Sequence, residues 1–179
     1  MRDLHILVAI AGIALPALVQ TPAAQPLLHV STSFDLTVHA SYAKTAPLFG
    51  PEGERAWAGK HWNPEFIHPQ PAKDVEGAVF TIQHGPYKAV WVNTLFDIDA
   101  QHFQYVYFLP DLMVTVIDVR FKPAGIDSTH VNVVYTRTAL TPDGNEHVTA
   151  MSEDDKTAGA AWQQAIDKVL DDSKSGSNP

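Results

Sequence analysis

The chain has 179 residues, 45% of them hydrophobic and 18% charged, with a formal net charge of -8 and no cysteine. That length and balance suit one globular domain able to bury a core of its own. Net acidity with singly scattered Lys and Arg argues against nucleic acid or an anionic membrane surface as a partner. The missing thiols exclude disulfides, Cys nucleophiles and Cys-based metal sites.

Residues 1–24 read as a secretory signal peptide: Arg2, an apolar run over 6–19 broken by Pro16, then the small residues Thr21-Pro22-Ala23-Ala24. As a helix that run would reach only about 21 Å, short of the ~30 Å hydrocarbon core, so no stable membrane insertion is expected once the leader is removed. The expected location is periplasmic or secreted, or cytoplasmic if the leader is mis-assigned. The folded domain is expected over 25–172, with a small, polar, disordered tail over 173–179.

Residues 30–38 alternate strictly. Val30, Thr32, Phe34, Leu36 and Val38 lie on one side, with Ser31, Ser33, Asp35, Thr37 and His39 on the other. This predicts a half-buried strand. Residues 41–49 read as a short helix. The stretch 48–69, LFGPEGERAWAGKHWNPEFIHP, is too dense in Pro and Gly for a long regular element. It predicts a helical or looped lid, with a brief edge strand over 62–67 limited by Pro64 and Pro69. Strands then follow over 78–84 and 88–97, joined as a hairpin across Gly85-Pro86-Tyr87, and over 102–109, 112–122 and 129–140. The turns between them are short, as antiparallel neighbours require. In 112–122, Ile117, Val119 and Phe121 face one way while Asp118 and Arg120 face the other. The side taken by Trp91 depends on the length of the turn at Gly85. A terminal helix is predicted from a Ser152 cap with Glu153, Asp154 and Asp155 at its positive end. Its apolar stripe is Ala158, Trp162, Ala165, Ile166, Val169 and Leu170.

This order of elements, with the segments GPEGERAW (50–57), HWNPEF (61–66), GAVF (77–80) and VYTRTAL followed by DGN (134–145), resembles the START/Bet v 1-like (SRPBCC) superfamily. Within it, the local segments resemble a bacterial subgroup of unassigned activity, over residues 30–170. The resemblance implies an α+β helix-grip fold, in which a curved seven-stranded antiparallel sheet wraps a long C-terminal helix and leaves a cavity between them. Superfamily members range from lipid carriers to polyketide cyclases, so the resemblance implies a container and leaves its chemistry open.

No nucleotide loop, zinc-binding HExxH, nucleophile elbow or EF-hand pattern occurs. His61 and His68 flank the lid strand without a recognised ligand spacing, His29 and His39 fall on the polar side of the first strand, and His84 and His102 could meet inside the sheet. No metal or cofactor is expected. Glu52, Glu54 and Arg55 could act at a pocket mouth as acid, base or anion clamp, or could cap and solubilise a short lid helix. Trp57, Trp62, Phe66, Phe80, Trp91, Tyr105, Tyr107, Tyr135, Trp162 and Ile166 are the candidates for lining a ligand cavity, against plain core packing. Tyr105 and Tyr107 share one strand face, which makes them the pair best placed to orient a ligand. The resulting expectation is a non-catalytic binder of a small hydrophobic molecule or lipid. The alternative is a cyclase- or hydrolase-like enzyme using Glu54 or His61 as general base.

Overall fold

The computed structural model describes residues 25–175. The expected leader over 1–24 and the end of the expected tail, 176–179, lie outside the described residues.

Alternation over the first strand gives β1 (His29–Val38), with Phe34, Leu36 and Val38 buried. The chain then turns through α1 (Tyr42–Thr45) and two short 3-10 turns, Ala46–Phe49 and Gly53–Ala56, before the edge strand β2 (Glu65–His68). The edge strand is thus shorter than 62–67 and begins after Pro64, because Trp62 is drawn into the interior by a hydrogen bond to Pro51. Four longer strands follow after β3 (Val79–His84): β4 (Tyr87–Asp97), β5 (His102–Leu109), β6 (Met113–Pro123) and β7 (Thr129–Ala139). Together the strands form one antiparallel seven-stranded sheet in the order β1-β7-β6-β5-β4-β3-β2. β-Bulges in β2 and between Asn93 and Leu95 in β4 interrupt the register, and such bulges increase local bend and twist.

His84 lies opposite Tyr87, so the β3–β4 loop is the two residues Gly85 and Pro86. Gly85 takes φ +54°, as the favoured two-residue hairpin turns demand. This register sends Trp91 inward, where it is 6% exposed. Across the concave face the strands align their inward residues in rungs. One rung is Trp91, Tyr107, Thr115 and Arg137; the next is Asn93, Tyr105, Ile117 and Tyr135.

The terminal helix α2 (Pro142–Ser175) corrects the sequence reading at both ends. It starts ten residues before Ser152, with Thr141 accepting the Gly144 N–H through its hydroxyl (3.2 Å) and Pro142 in the first turn, where its missing N–H costs nothing. Gly144 and Asn145 are poor helix formers retained for contacts. A Cβ on Gly144 would stand 2.0 Å from the Leu112 carbonyl oxygen. The Asn145 side chain binds Leu28 N–H (2.8 Å) and the Pro26 carbonyl (3.1 Å). Ser152 is therefore a buried helix-interior residue, not a cap. At the other end the helix runs through residues 173–175, where the sequence predicts a polar tail.

α2 packs on β1, on β7 and more lightly on β6. Gly159 permits the approach: a Cβ there would lie 2.6 Å from the Asp35 carbonyl oxygen. Gln163 accepts the Thr37 N–H (3.1 Å), and Asp167 accepts the His39 N–H (3.2 Å) and pairs with the His39 ring (2.7 Å). With the helix drawn toward the β1 side, the 48–62 segment covers the rest of the concavity, where its rings contact Phe80, Trp91, Phe121 and Trp162.

Candidate functional site

Glycine and one half-buried carboxylate shape the lid. Asp74 accepts the N–H groups of Glu52 (2.9 Å) and Gly53 (3.3 Å). A Cβ on Gly50 would fall 2.2 Å from Asp74 Oδ2, and one on Gly53 would fall 1.8 Å from the Pro47 carbonyl oxygen, so only glycine allows this winding. Arg55 closes the loop by donating to Glu52 (2.8 Å), Asn63 (2.8 Å) and the Pro64 carbonyl. Trp57 and Trp62 each donate an indole N–H to lid carbonyls, at Leu48 (2.6 Å) and Pro51 (2.9 Å). Their polar edges are thereby held in the lid while their rings meet the interior, Trp57 5.0 Å from Trp162 and Trp62 5.3 Å from Trp91.

Beneath the lid is a cavity of about 210 Å³. All four tryptophans of the chain, Trp57, Trp62, Trp91 and Trp162, wall it. Phe49 and Phe80 add further aromatic surface, and the rung of Tyr105, Ile117 and Tyr135 forms its floor. A second chamber of about 240 Å³ shares Trp62, Trp91, Tyr135 and Trp162 as its partition and is floored by the next rung, through Trp91, Tyr107 and Arg137. Each chamber is small, but together they enter the ~300–1,000 Å³ range of small-molecule sites.

The polar group of the first chamber is Glu54. It is half-buried, its open side facing the cavity. Burial, reinforced by the negative charge of Asp74, holds its carboxyl well above the usual carboxylate range. Arg55 turns to Glu52 instead, so no cation offsets that rise. A carboxyl so displaced holds its proton to higher pH than an exposed one does, and while protonated it can both donate and accept hydrogen bonds. Tyr105 donates to the Phe49 carbonyl (2.5 Å), and burial, then the Glu54 and Asp74 charges, push its hydroxyl up. Tyr135 is pushed up by burial first, then by the charge of Glu54 and the neighbouring Tyr107, with Arg137 pulling the other way.

In the second chamber Arg137, 2% exposed, forms a two-pronged pair with Asp155 through Nη1 and Nη2 (3.0 Å to Oδ1), and Thr32 donates to the same carboxylate. Burial pulls the guanidinium down, but Asp155 more than compensates and the net shift is upward. The Arg137 guanidinium carbon also sits 4.4 Å from the centre of the Tyr135 ring. Tyr107 stacks on Trp91 (4.4 Å) and on His84 (6.1 Å).

The structure gathers Trp57, Trp62, Phe80, Trp91, Tyr105, Trp162 and Glu54 around the first chamber, and Tyr107 in the second. The two tyrosines share the inward face of β5 but open into different chambers, and neither hydroxyl is free: Tyr105 binds Phe49 and Tyr107 reaches Met151 Sδ (3.5 Å). Phe66 is not brought to either chamber; it stacks on the outer side of Phe80 at 5.4 Å. Ile166 is wholly buried in the helix–sheet core. His61 is exposed on the lid, out of reach of the cavity. His84 and His102 do not meet: His84 sits at the Gly85 hairpin, whereas His102 lies opposite Asp97 at the far end of β4 and binds Asp118 (2.6 Å). Among the described residues no group of three His, Asp or Glu is arranged to hold a metal ion. Tyr135, a candidate on sequence, lines both chambers, whereas sequence reasoning missed Phe49, Pro51, Ile117, Val119 and the Arg137–Asp155 pair. Strand alternation placed Ile117 and Val119 on one face, but only the register across β5–β7 shows that this face meets the lid.

No family model matches the chain, and no curated protein matches it in sequence. Solved structures do match in three dimensions. Norcoclaurine synthase from Thalictrum flavum aligns with a TM-score of 0.59 at 14% identity, covering 88% of this chain and 98% of that one. A further structure of that enzyme, in complex with dopamine and hydroxybenzaldehyde, aligns at 0.57 and 16% identity over 80% and 87% of the two chains. An uncharacterised protein from Rhizobium leguminosarum aligns at 0.57 and 10% identity, over 82% and 97%. The protein XoxI from Bacillus cereus aligns at 0.59 and 13% identity, over 76% and 94%. At these identities the likeness establishes the fold, which is the Bet v 1-like helix grip.

Proposed function

We propose that this helix-grip chain binds a small aromatic or apolar molecule in its internal cavity and carries it without transforming it. The observation that carries the reading is the tryptophan-walled chamber of about 210 Å³ beneath a lid pinned by its own indoles. Rings bury a large area at little entropic cost and stack on other rings, so such walls favour a ring compound over a long acyl chain. A structure of the same fold holds two small aromatic molecules, which supports occupancy by ligands of this size. The four wall tryptophans supply the assay. Titration with the neutral dye N-phenyl-1-naphthylamine should quench their emission saturably at one dye per chain. No uptake of the dye, with emission unchanged, would sink the reading.

The cavity-facing Glu54 favours one second reading, an enzyme using this carboxyl as general acid or base. A base there should exchange the acidic α-hydrogens of a bound aryl ketone in D2O, measured by NMR, and Glu54→Gln should abolish that exchange. Exchange that survives the substitution would remove Glu54 from any such role. The leader-like residues 1–24 further support a working place outside the cytoplasm, tested by N-terminal sequencing of the chain recovered from the periplasmic fraction of expressing cells.

A further inference from the structure

The first chamber contains two polar groups that the protein itself leaves unused. Among the described residues no hydrogen bond or ion pair reaches the Glu54 carboxyl; Arg55, beside it in sequence, turns to Glu52, Asn63 and the Pro64 carbonyl. None reaches the Tyr135 hydroxyl either, although Tyr105 on the same rung is held by the Phe49 carbonyl. Neither group is sealed in. The unpaired side-chain atoms with no accessible surface belong to His84, Trp91, Asn93, Thr115, Arg137 and Ser152, whereas Glu54 and Tyr135 are only partly buried and both line the cavity. The Glu54 charge acts on the hydroxyls of Tyr105 and Tyr135, which places the carboxyl above the chamber floor. Polar groups withdrawn from bulk water ordinarily have a partner, either in the protein or bound to it.

Charge selects the class of that partner. Among the described residues that line the chamber none is Lys, Arg or His. Asp74 stands close enough for its negative charge to act on Glu54. Arg137, which lies over the Tyr135 ring, is already matched by Asp155. An anion in the chamber would therefore meet Glu54 and Asp74 with no counter-charge. A cation would meet a carboxyl and a phenol oxygen, both able to accept, among four indoles, the side chains whose ring faces attract cations most strongly. It would also supply the opposite charge that lets Glu54 ionise in an apolar setting. An ammonium, with three donors and no acceptor, fits that set. The net charge of -8 draws such ions toward the chain from solution.

We propose that Glu54 and Tyr135 form the head-group anchor of the binding site and hold the ammonium of a small aromatic amine whose ring lies among the tryptophans. This rests on the carrier reading above and specifies its ligand class. The test compares three probes of one ring system, 2-naphthylmethylammonium, 2-naphthylmethanol and 2-naphthoate, by isothermal titration calorimetry of the full chain. Neutral pH and physiological salt screen attraction to the net charge. The ammonium should bind at least about tenfold tighter than the alcohol, the gain of one charge-assisted hydrogen bond, and the carboxylate should bind weakest. Glu54→Gln keeps the shape of the side chain without its charge and should abolish the ammonium-over-alcohol preference. Tyr135→Phe keeps the ring, removes one acceptor and should lower the preference in part. Circular dichroism confirms that the variants fold, and the ratio within each variant cancels any general loss of affinity.

Alcohol binding as tight as that of the ammonium would overturn the proposal while leaving the carrier reading intact, and would mean that Glu54 keeps its proton and serves as a neutral group. Tightest binding of naphthoate would overturn it in favour of an acid that shares that proton. An ammonium preference unchanged in Glu54→Gln would assign the selectivity to ring faces or net charge and remove the anchor; one unchanged in Tyr135→Phe would overturn the two-residue anchor as stated. Failure of all three probes while the neutral dye binds would overturn this proposal alone. Failure of the dye as well would remove the carrier reading itself.

Discussion

Removing the Asp155 carboxylate should destabilise the chain far more than removing any exposed acid. Its oxygens accept from both terminal nitrogens of Arg137 and from Thr32, and Arg137 is 2% exposed. In Asp155→Ala the guanidinium stays in the interior with its Nε already unpaired and its terminal nitrogens now unpaired too. Breaking a buried pair from one side costs about 3–5 kcal/mol, because the surviving charge has lost both water and partner. At roughly 2–4 °C per kcal/mol for a domain of this size, that is a fall of roughly 6–20 °C in Tm. The double variant Arg137→Met/Asp155→Leu removes both charges at similar volume and should recover most of the loss, since replacing both partners is often near neutral. Urea unfolding of parent, single and double variants gives all three values. A single-variant cost below about 1 kcal/mol would show that Arg137 reaches water, and a double variant no better than the single would show that packing, not charge, sets the loss. Either result would refute the argument.

Glu54→Gln should make the fold less sensitive to alkali. Its folded-state pKa lies above 4.5, so the stability it contributes is full below that value and is lost as pH rises through the raised one. The variant should match the parent near pH 4 and exceed it at pH 8, by about 1.4 kcal/mol per unit of upward displacement; urea midpoints at both pH values check this, and a variant weaker at pH 8 counts against it. Asp74→Ala should free the Glu52 and Gly53 N–H groups at a cost of about 1–2 kcal/mol. Those two amides should exchange with D2O faster than the strand amides, and unchanged exchange would mean that the lid holds without Asp74. Gly159→Ala should cost about 1–3 kcal/mol by forcing α2 away from the Asp35 carbonyl, a prediction that an unchanged Tm would defeat.

The helix-grip architecture was legible because its signals are local. The alternation of β1, the short turns and the 158–170 stripe each follow from neighbours in sequence. The first ten residues of α2 were hidden because Gly144 and Asn145 answer to Leu112 and Leu28, far away in the chain, and not to helix propensity. Four of the cavity's walls announced themselves as tryptophans in a chain that has only four. Phe66 and Ile166 have the same apolar character as Phe80 and Trp162, and composition cannot tell a wall from the packing behind it. Arg137 was invisible for a related reason: within VYTRTAL it occupies an ordinary alternating position, and only its register beside Thr115 and Tyr107 makes it the floor of a chamber.

The hydrogen bonds from Thr37 and His39 to Gln163 and Asp167 bear on how copies of the chain behave toward one another in solution. Ten residues of unpaired β1 backbone would offer a ready template for another molecule's strand, the first step of aggregation. Helix side chains cap the C-terminal end of that template at Thr37 and His39, and the opposite border of the sheet is only the four residues of β2, bulged and followed by Pro69. Conditions that peel α2 away should therefore turn a monodisperse sample into one prone to intermolecular β-structure, well before the remaining strands come apart.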